Sequence, residues 1–175
     1  MAAPIEIDVW QGEIAELEVD ALVVPANESL FMTTGAAASV RRHGGEEIER
    51  AAVEQGPAQP GSAIATTAGT LAAAYVIHAI GVGHDRLADR EQLASAIRAA
   101  IDHAEPLQLR RMAFALIGVE HGAFDPADAA EALVEELTRD SDRRRMPESI
   151  VIATANPAET RAAGEAVARR RARVT

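Results

Sequence analysis

Val19-Asp-Ala-Leu-Val-Val-Pro-Ala-Asn27 carries a five-residue apolar run, Ala21 to Pro25, with no polar alternation. Such a run reads as a strand covered on both faces, the kind found in parallel sheets flanked by helices. Pro25 ends the strand. Asn27 then follows directly after a buried strand.

Working outward, the chain alternates strand and helix. Ile5 to Trp10 alternates apolar and polar residues, as a strand with one wet face does. Gly35 to about Gln55 reads as helical, with an Ala-rich start and a candidate break at Gly44-Gly45. Ser62 to Thr67 is a short strand, Gly69-Thr70 a turn, and Tyr75 to Ile80 a second apolar strand. Arg90 to His103 has helical spacing at Leu93, Ala94, Ile97 and Ile101. Met112 to Ile117 is a buried strand, Gly118 to Pro126 a Gly-containing loop, and the next helix is capped by Asp125 or Asp128. Ile150 to Ala153 is the last strand, followed by a helix from about Pro157 to Arg171. The expectation is one α/β domain over residues 1–175, with helices on both faces of a mostly parallel or mixed sheet. Ligands in such folds sit at the carboxyl ends of strands, which directs attention to the exits after Pro25, Ile117 and Ala153.

Composition excludes several chemistries. The 175 residues contain no Cys and no Lys, so all 17 basic residues are Arg. Thiolate nucleophiles, disulfides, Schiff bases and Walker-type lysines are therefore absent. A net charge of −10 argues against sequence-blind nucleic-acid binding. Aromatics are only 3% and Ala fills about a fifth of the chain, so the core is built from Ala, Val, Ile and Leu. No apolar run approaches the roughly 20 residues of a membrane span. The start MAAPIEIDVW lacks a basic region followed by an apolar stretch, so the expected compartment is the cytoplasm. The Arg169-Arg-Arg-Ala-Arg173 run reads as helix-terminal charge rather than a nucleic-acid tail. Nothing in the residue pattern calls for a metal or a cofactor, and it does not report an oligomeric state.

Three segments have the residue types for chemistry. Asn27 is either a turn residue or a side chain that donates to and accepts from a sugar hydroxyl. Met32-Thr-Thr-Gly-Ala-Ala-Ala-Ser39 either caps a helix through Thr34 or offers free N–H groups to an anion. Gly118 and Gly122 in the third loop suit backbone contact with phosphates, whereas Glu120 and His121 read alternatively as an acid/base pair. His78, inside an apolar strand, reads as a hydrogen-bonded core residue, and the other histidines show no metal-ligand spacing.

In this order the pieces resemble the macro domain, the ADP-ribose-binding and ADP-ribose-1-phosphate-processing family. Val9-Trp-Gln-Gly-Glu-Ile14 resembles its Gly-Asp-Ile opening, and Val19 to Asn27 resembles its Val-Asp-Ala-Ile-Val-Asn-Ala-Ala-Asn. Gly61-Ser-Ala-Ile-Ala-Thr-Thr-Ala-Gly-Thr-Leu71 and Tyr75-Val-Ile-His78 resemble further family phrases, so the likeness runs from about Ile5 to about Arg169. The resemblance implies a three-layer α/β/α sandwich on a mixed, mostly parallel sheet of six strands, with ADP-ribose, free or on a modified protein, across the strand ends. By position, Glu13 would accept from the adenine amino group, with a backbone contact from Ile14 beside it. Asn27 would hold the distal ribose and, in hydrolytic members, serve as the catalytic residue. Thr34, Gly35 and Ala36 would line that ribose and a phosphate. Gly118, Val119, Glu120, His121, Gly122, Ala123 and Phe124 would form a second phosphate loop, and Asn156 would lie near adenine.

The departures bear on activity. Hydrolytic members often carry an Asp just inside the first helix, where this chain has Ala37, and another branch uses a Lys. Gly118-Val119-Glu120 replaces Gly-Thr-Gly. A carboxylate about 4 Å from a phosphate costs on the order of 1 kcal/mol in water and several in a cleft. Glu120 is therefore expected either to point out of the cleft or to weaken diphosphate binding. Three functions remain: ADP-ribose binding, hydrolysis or deacetylation of ADP-ribosyl or O-acetyl-ADP-ribose esters, and a degenerate cleft with another ligand or a protein-interaction role.

Overall fold

Alternate residues of the decisive strand face opposite ways. Ala21 and Val23 pack into one core cluster, Leu22 and Val24 into the other, and all four are fully buried. A computed structural model describes residues 4–174, the last without its side chain. Its strands are β1 Glu6–Gln11, β2 Ala21–Pro25, β3 Ala63–Thr67, β4 Tyr75–Ala79, β5 Arg111–Ala115 and β6 Ser149–Thr154. They form one sheet in the order β1-β6-β5-β2-β4-β3. Every pairing is parallel except β3 with β4. The short 68–74 connection forces that exception, because a parallel return needs a crossover of a dozen residues or more.

The helices are α1 Gly35–Gly44, α2 Glu46–Gln55, α3 Arg90–Asp102, α4 Ala104–Leu107, α5 Pro126–Thr138 and α6 Pro157–Val174. α3, α5 and α6 cover one face of the sheet, and α1 and α2 cover the other. This is the expected three-layer α/β/α sandwich. Gly44-Gly45 does divide the first helical stretch, and the turn at Gly69 docks onto the break. Gly69 has φ +56°, and a Cβ there would lie 2.0 Å from the Gly44 carbonyl oxygen. The Thr70 N–H donates to the same carbonyl at 3.0 Å.

Some local expectations shift. β5 stops at Ala115 rather than Ile117. Leu116 remains buried beneath the cleft and Ile117 in the core, so their apolar pattern outlasts the strand's hydrogen bonding. Asp125 occupies the cap position of α5 but makes no side-chain cap bond, and Pro126 fixes the first turn instead. The α4 turn and a 3₁₀ turn at Ile14–Glu16 are too short to show periodicity in sequence. Glu136, in periodic order with apolar residues of α5, is buried and paired with Arg98 at 3.2 Å and Arg139 at 3.0 Å. At the chain's end α6 absorbs the arginine run, where Arg171 donates to the Ile7 carbonyl at 3.1 Å.

His78 is buried in β4 with Nε2 at 3.0 Å from the Thr66 hydroxyl. Burial lowers its pKa to about 4, so the ring is neutral at pH 7. No described helix is long and apolar enough to cross a membrane.

Candidate functional site

The carboxyl ends of β6, β5 and β2 open into a cleft with two adjoining lobes. The larger has a volume of about 630 Å³, and the smaller about 290 Å³. Pro25, Thr34, Glu120 and His121 border both, so they stand at the junction. The location obeys the strand-end rule and uses all three exits picked out in sequence.

Glu13 and Ile14 line the larger lobe where the chain leaves β1. The Glu13 carboxylate accepts from the Ser39 hydroxyl on α1. Thr34, Gly35 and Ala36 line the lobe at the start of α1. Thr34 holds the cap position in extended conformation but makes no side-chain cap bond. The first-turn N–H groups of a helix have no intrahelical acceptor, so this end presents donors and a partial positive charge to the cleft.

Asn27 faces the smaller lobe. Its Nδ2 donates to the Phe31 carbonyl at a long 3.4 Å, while its Oδ1 is buried without a partner. An orphaned acceptor beside a cavity is suited to a ligand hydroxyl. Ala37 lines the same lobe, so α1 supplies no carboxylate there.

The loop after β5 divides its residues between lining and scaffolding. Val119, Glu120 and His121 line the larger lobe. Gly118, Gly122, Ala123 and Phe124 do not line either lobe. Gly118 has φ +98°, and a Cβ on it would come within 2.9 Å of the Phe124 ring. The Phe124 N–H closes the loop onto the Gly118 carbonyl at 2.9 Å. Asn156 is likewise committed elsewhere: its Oδ1 accepts from the Glu159 N–H at 3.0 Å and caps α6. Glu159 folds back onto the Ala155 N–H at 2.8 Å.

Glu120 does not point out of the cleft, which corrects that half of the expectation. Its carboxyl lies along the junction, with Oε2 accepting from the Gly118 N–H at 3.1 Å. Oε1 is buried without a partner. Burial pushes the carboxyl up to about 7, helped slightly by the Glu159 charge and opposed by the Glu120 and Gly118 N–H groups.

Several lining residues were given no role from sequence. Ser39 and Arg42 share the α1 face that begins at Gly35, four and seven residues on, which is the one-face spacing of a helix. Phe31, His84 and Arg86 line the smaller lobe. The last two belong to the exit of β4, a fourth strand end that the same rule would have marked. Neither Arg42 nor Arg86 is in an ion pair with a described residue. No cluster of three or more His, Asp or Glu side chains able to hold a metal occurs among the described residues.

Comparison with known proteins agrees with this geometry. An uncharacterized protein of Aquifex aeolicus is 38% identical over 136 residues, covering 77% of this chain and 82% of its own. A protein of Mycobacterium bovis is 35% identical over 175 residues and 95% of this chain, which spans only 48% of that longer relative. The Trypanosoma brucei macrodomain in complex with ADP-ribose superposes with a TM-score of 0.86 at 20% identity, over 93% of this chain and 69% of that one. The Macro domain family model matches residues 23–133, from the middle of β2 into α5. With that match and relatives of this identity, the chain belongs to the macro domain family.

Proposed function

We propose that this protein binds ADP-ribose across the two lobes, free or carried on a modified protein. The observation that carries the reading is the buried, unpartnered Oδ1 of Asn27 beside the smaller lobe. A ribose hydroxyl supplies the donor it lacks, which removes the cost of an unsatisfied buried acceptor. The adenosine then occupies the larger lobe, with its amino group on Glu13 and the Ile14 backbone beside it. The phosphates lie between the start of α1 and the Val119–His121 segment, where Thr34, Gly35 and Ala36 present backbone donors. Solved relatives in this family hold ADP-ribose or ADP, as in the Trypanosoma brucei and Oceanobacillus iheyensis macrodomains.

Isothermal titration with ADP-ribose, ADP and adenosine tests the reading. Saturable binding that strengthens from adenosine to ADP-ribose supports it, and no heat at millimolar ADP-ribose refutes it. We place binding before ester hydrolysis because Ala37 leaves the distal-ribose lobe without a carboxylate from α1. Product release from O-acetyl-ADP-ribose, compared between the wild type and Asn27→Ala, tests hydrolysis directly; equal rates remove Asn27 as a contributor.

A further inference from the structure

The half-buried acid at the junction of the lobes has one sequestered carboxyl oxygen, a detail that the sequence alternatives do not specify. Glu120 neither leaves the cleft nor fills its own hydrogen-bonding capacity. One oxygen is engaged by Gly118, and the other is sequestered with nothing to bond. Buried polar atoms in folded proteins are almost always satisfied, so an orphan at a cavity wall marks a missing partner. A carboxylate offers only acceptors, and so does a phosphate; the two repel at contact distance. A neutral carboxyl group differs in one respect: it has an O–H to donate.

We propose that Glu120 carries a proton when nucleotide is bound. Its Oε1–H donates to a phosphate oxygen while Oε2 keeps the Gly118 N–H, so that a Glu120 ionised in the free protein takes up a proton from solvent on binding. The inference rests on the ADP-ribose reading and specifies the chemistry of its phosphate contact. It converts the substitution of Glu for a family glycine from an obstacle into a donor. The result is a site whose affinity depends on pH near neutrality.

The surroundings agree in sign. The ionisable groups lining the larger lobe are Glu13 from the β1 exit, Arg42 from α1 and Glu159 from α6, together with His121 beside Glu120. His84 and Arg86 line the smaller lobe from the β4 exit. Glu13 and Glu159 disfavour a further negative charge in the larger lobe, and the Glu159 charge favours the neutral form of Glu120. Arg42 is exposed and at the rim. His84 and His121 are unchanged in the Glu120 variants, so comparison with those variants isolates the share of Glu120.

Titration of ADP-ribose from pH 6 to pH 8 into the wild type, Glu120→Gln and Glu120→Ala tests the proposal. Both acidic groups of the ligand's diphosphate ionise far below this window. Gln copies the neutral carboxyl, with a carbonyl for Gly118 and an N–H for the phosphate. The wild type is expected to bind about tenfold more weakly at pH 8 than at pH 6, while E120Q changes about twofold or less. At pH 8, E120Q is expected to bind about tenfold more tightly than the wild type. Titration at pH 7 in buffers of different ionisation enthalpy is expected to show uptake of about half a proton more by the wild type than by E120Q. Parallel pH profiles for the two proteins overturn the proposal. So does E120A binding more tightly than E120Q, which would make Glu120 a mere obstruction. If wild type and E120Q both fail to bind at pH 6, the ADP-ribose reading itself falls.

Discussion

The Ser39 hydroxyl donates to the Glu13 carboxylate across 26 positions of sequence, tying the first helix to the mouth of the larger lobe. Glu13 is exposed, and without this bond its side chain would sample many rotamers. Ser39 therefore aims the residue that we propose meets the nucleobase. Glu13→Ala is expected to weaken ADP-ribose binding about tenfold, as loss of a hydrogen bond to a charged acceptor does. Ser39→Ala is expected to weaken it only about threefold, because the acceptor survives but is less fixed. Calorimetric titration of both variants checks the order; E13A binding like the wild type would remove Glu13 from the site.

Asn27 gives a prediction that separates the lobes. Asn27→Ala is expected to weaken ADP-ribose about tenfold through loss of its amide contact. ADP has no distal ribose, so its affinity should change little. Titrating the two ligands into one variant provides the internal control, and equal losses for both would place Asn27 outside a distal-ribose contact.

His78 governs one arm of the pH–stability curve. Its folded pKa, about 4, lies below the ordinary 6.5, so the unfolded chain binds the proton more readily between those values. Stability from this residue is full above pH 6.5 and is lost as pH falls toward 4, by an amount on the order of 3 kcal/mol. Glu120 has the opposite sign: its carboxyl is raised from 4.5 to about 7, so its contribution is full below pH 4.5 and is lost as pH rises to 7. The two slopes oppose one another where their windows overlap. Denaturant unfolding of the wild type, His78→Gln and E120Q at pH 4.5, 6 and 7.5 is expected to show a reduced acid-side loss in H78Q. E120Q is expected to show a reduced loss toward pH 7.5. An unchanged acid limb in H78Q would contradict the assignment.

Gly69 supplies a prediction about the scaffold. Its positive φ and its 2.0 Å Cβ approach to the Gly44 carbonyl leave no room for a side chain. Gly69→Ala is expected to destabilise the protein by about 3 kcal/mol, combining backbone strain with a clash against backbone. Thermal unfolding measures this, and a shift within error of the wild type would show that the turn relaxes freely.

The sheet and its flanking helices were legible because unbroken apolar strands and helically spaced faces leave a strong pattern. Ala21–Pro25 and the Gly44-Gly45 break are read from sequence alone. Gly69 was visible as a turn, but its reason, contact with Gly44, depends on packing between distant segments. The site was legible where a residue immediately follows a strand, as with Asn27, or opens a helix, as with Thr34 to Ala36. It was not legible where side-chain direction is set by tertiary contacts. Glu120 is turned inward by a loop whose path depends on Gly118 resting against Phe124 and Leu93. Asn156 is recruited by Glu159 as a helix cap, a competing use for the same amide that spacing does not reveal.

The sheet's parallel pairing of β1 with β6 joins Glu6 to Ser149 and Gln11 to Thr154. The first strand of the sheet in chain order thus waits for the last before it acquires a hydrogen-bonded neighbour. The wall of the larger lobe formed by Gly12 to Ile14, Ala153 to Ala155 and Glu159 inherits that delay. During synthesis, the smaller lobe and the start of α1 have their sequence partners in hand well before that wall can close. Closure of the larger lobe is therefore a late event in the synthesis of this domain, completed when β6 pairs with β1.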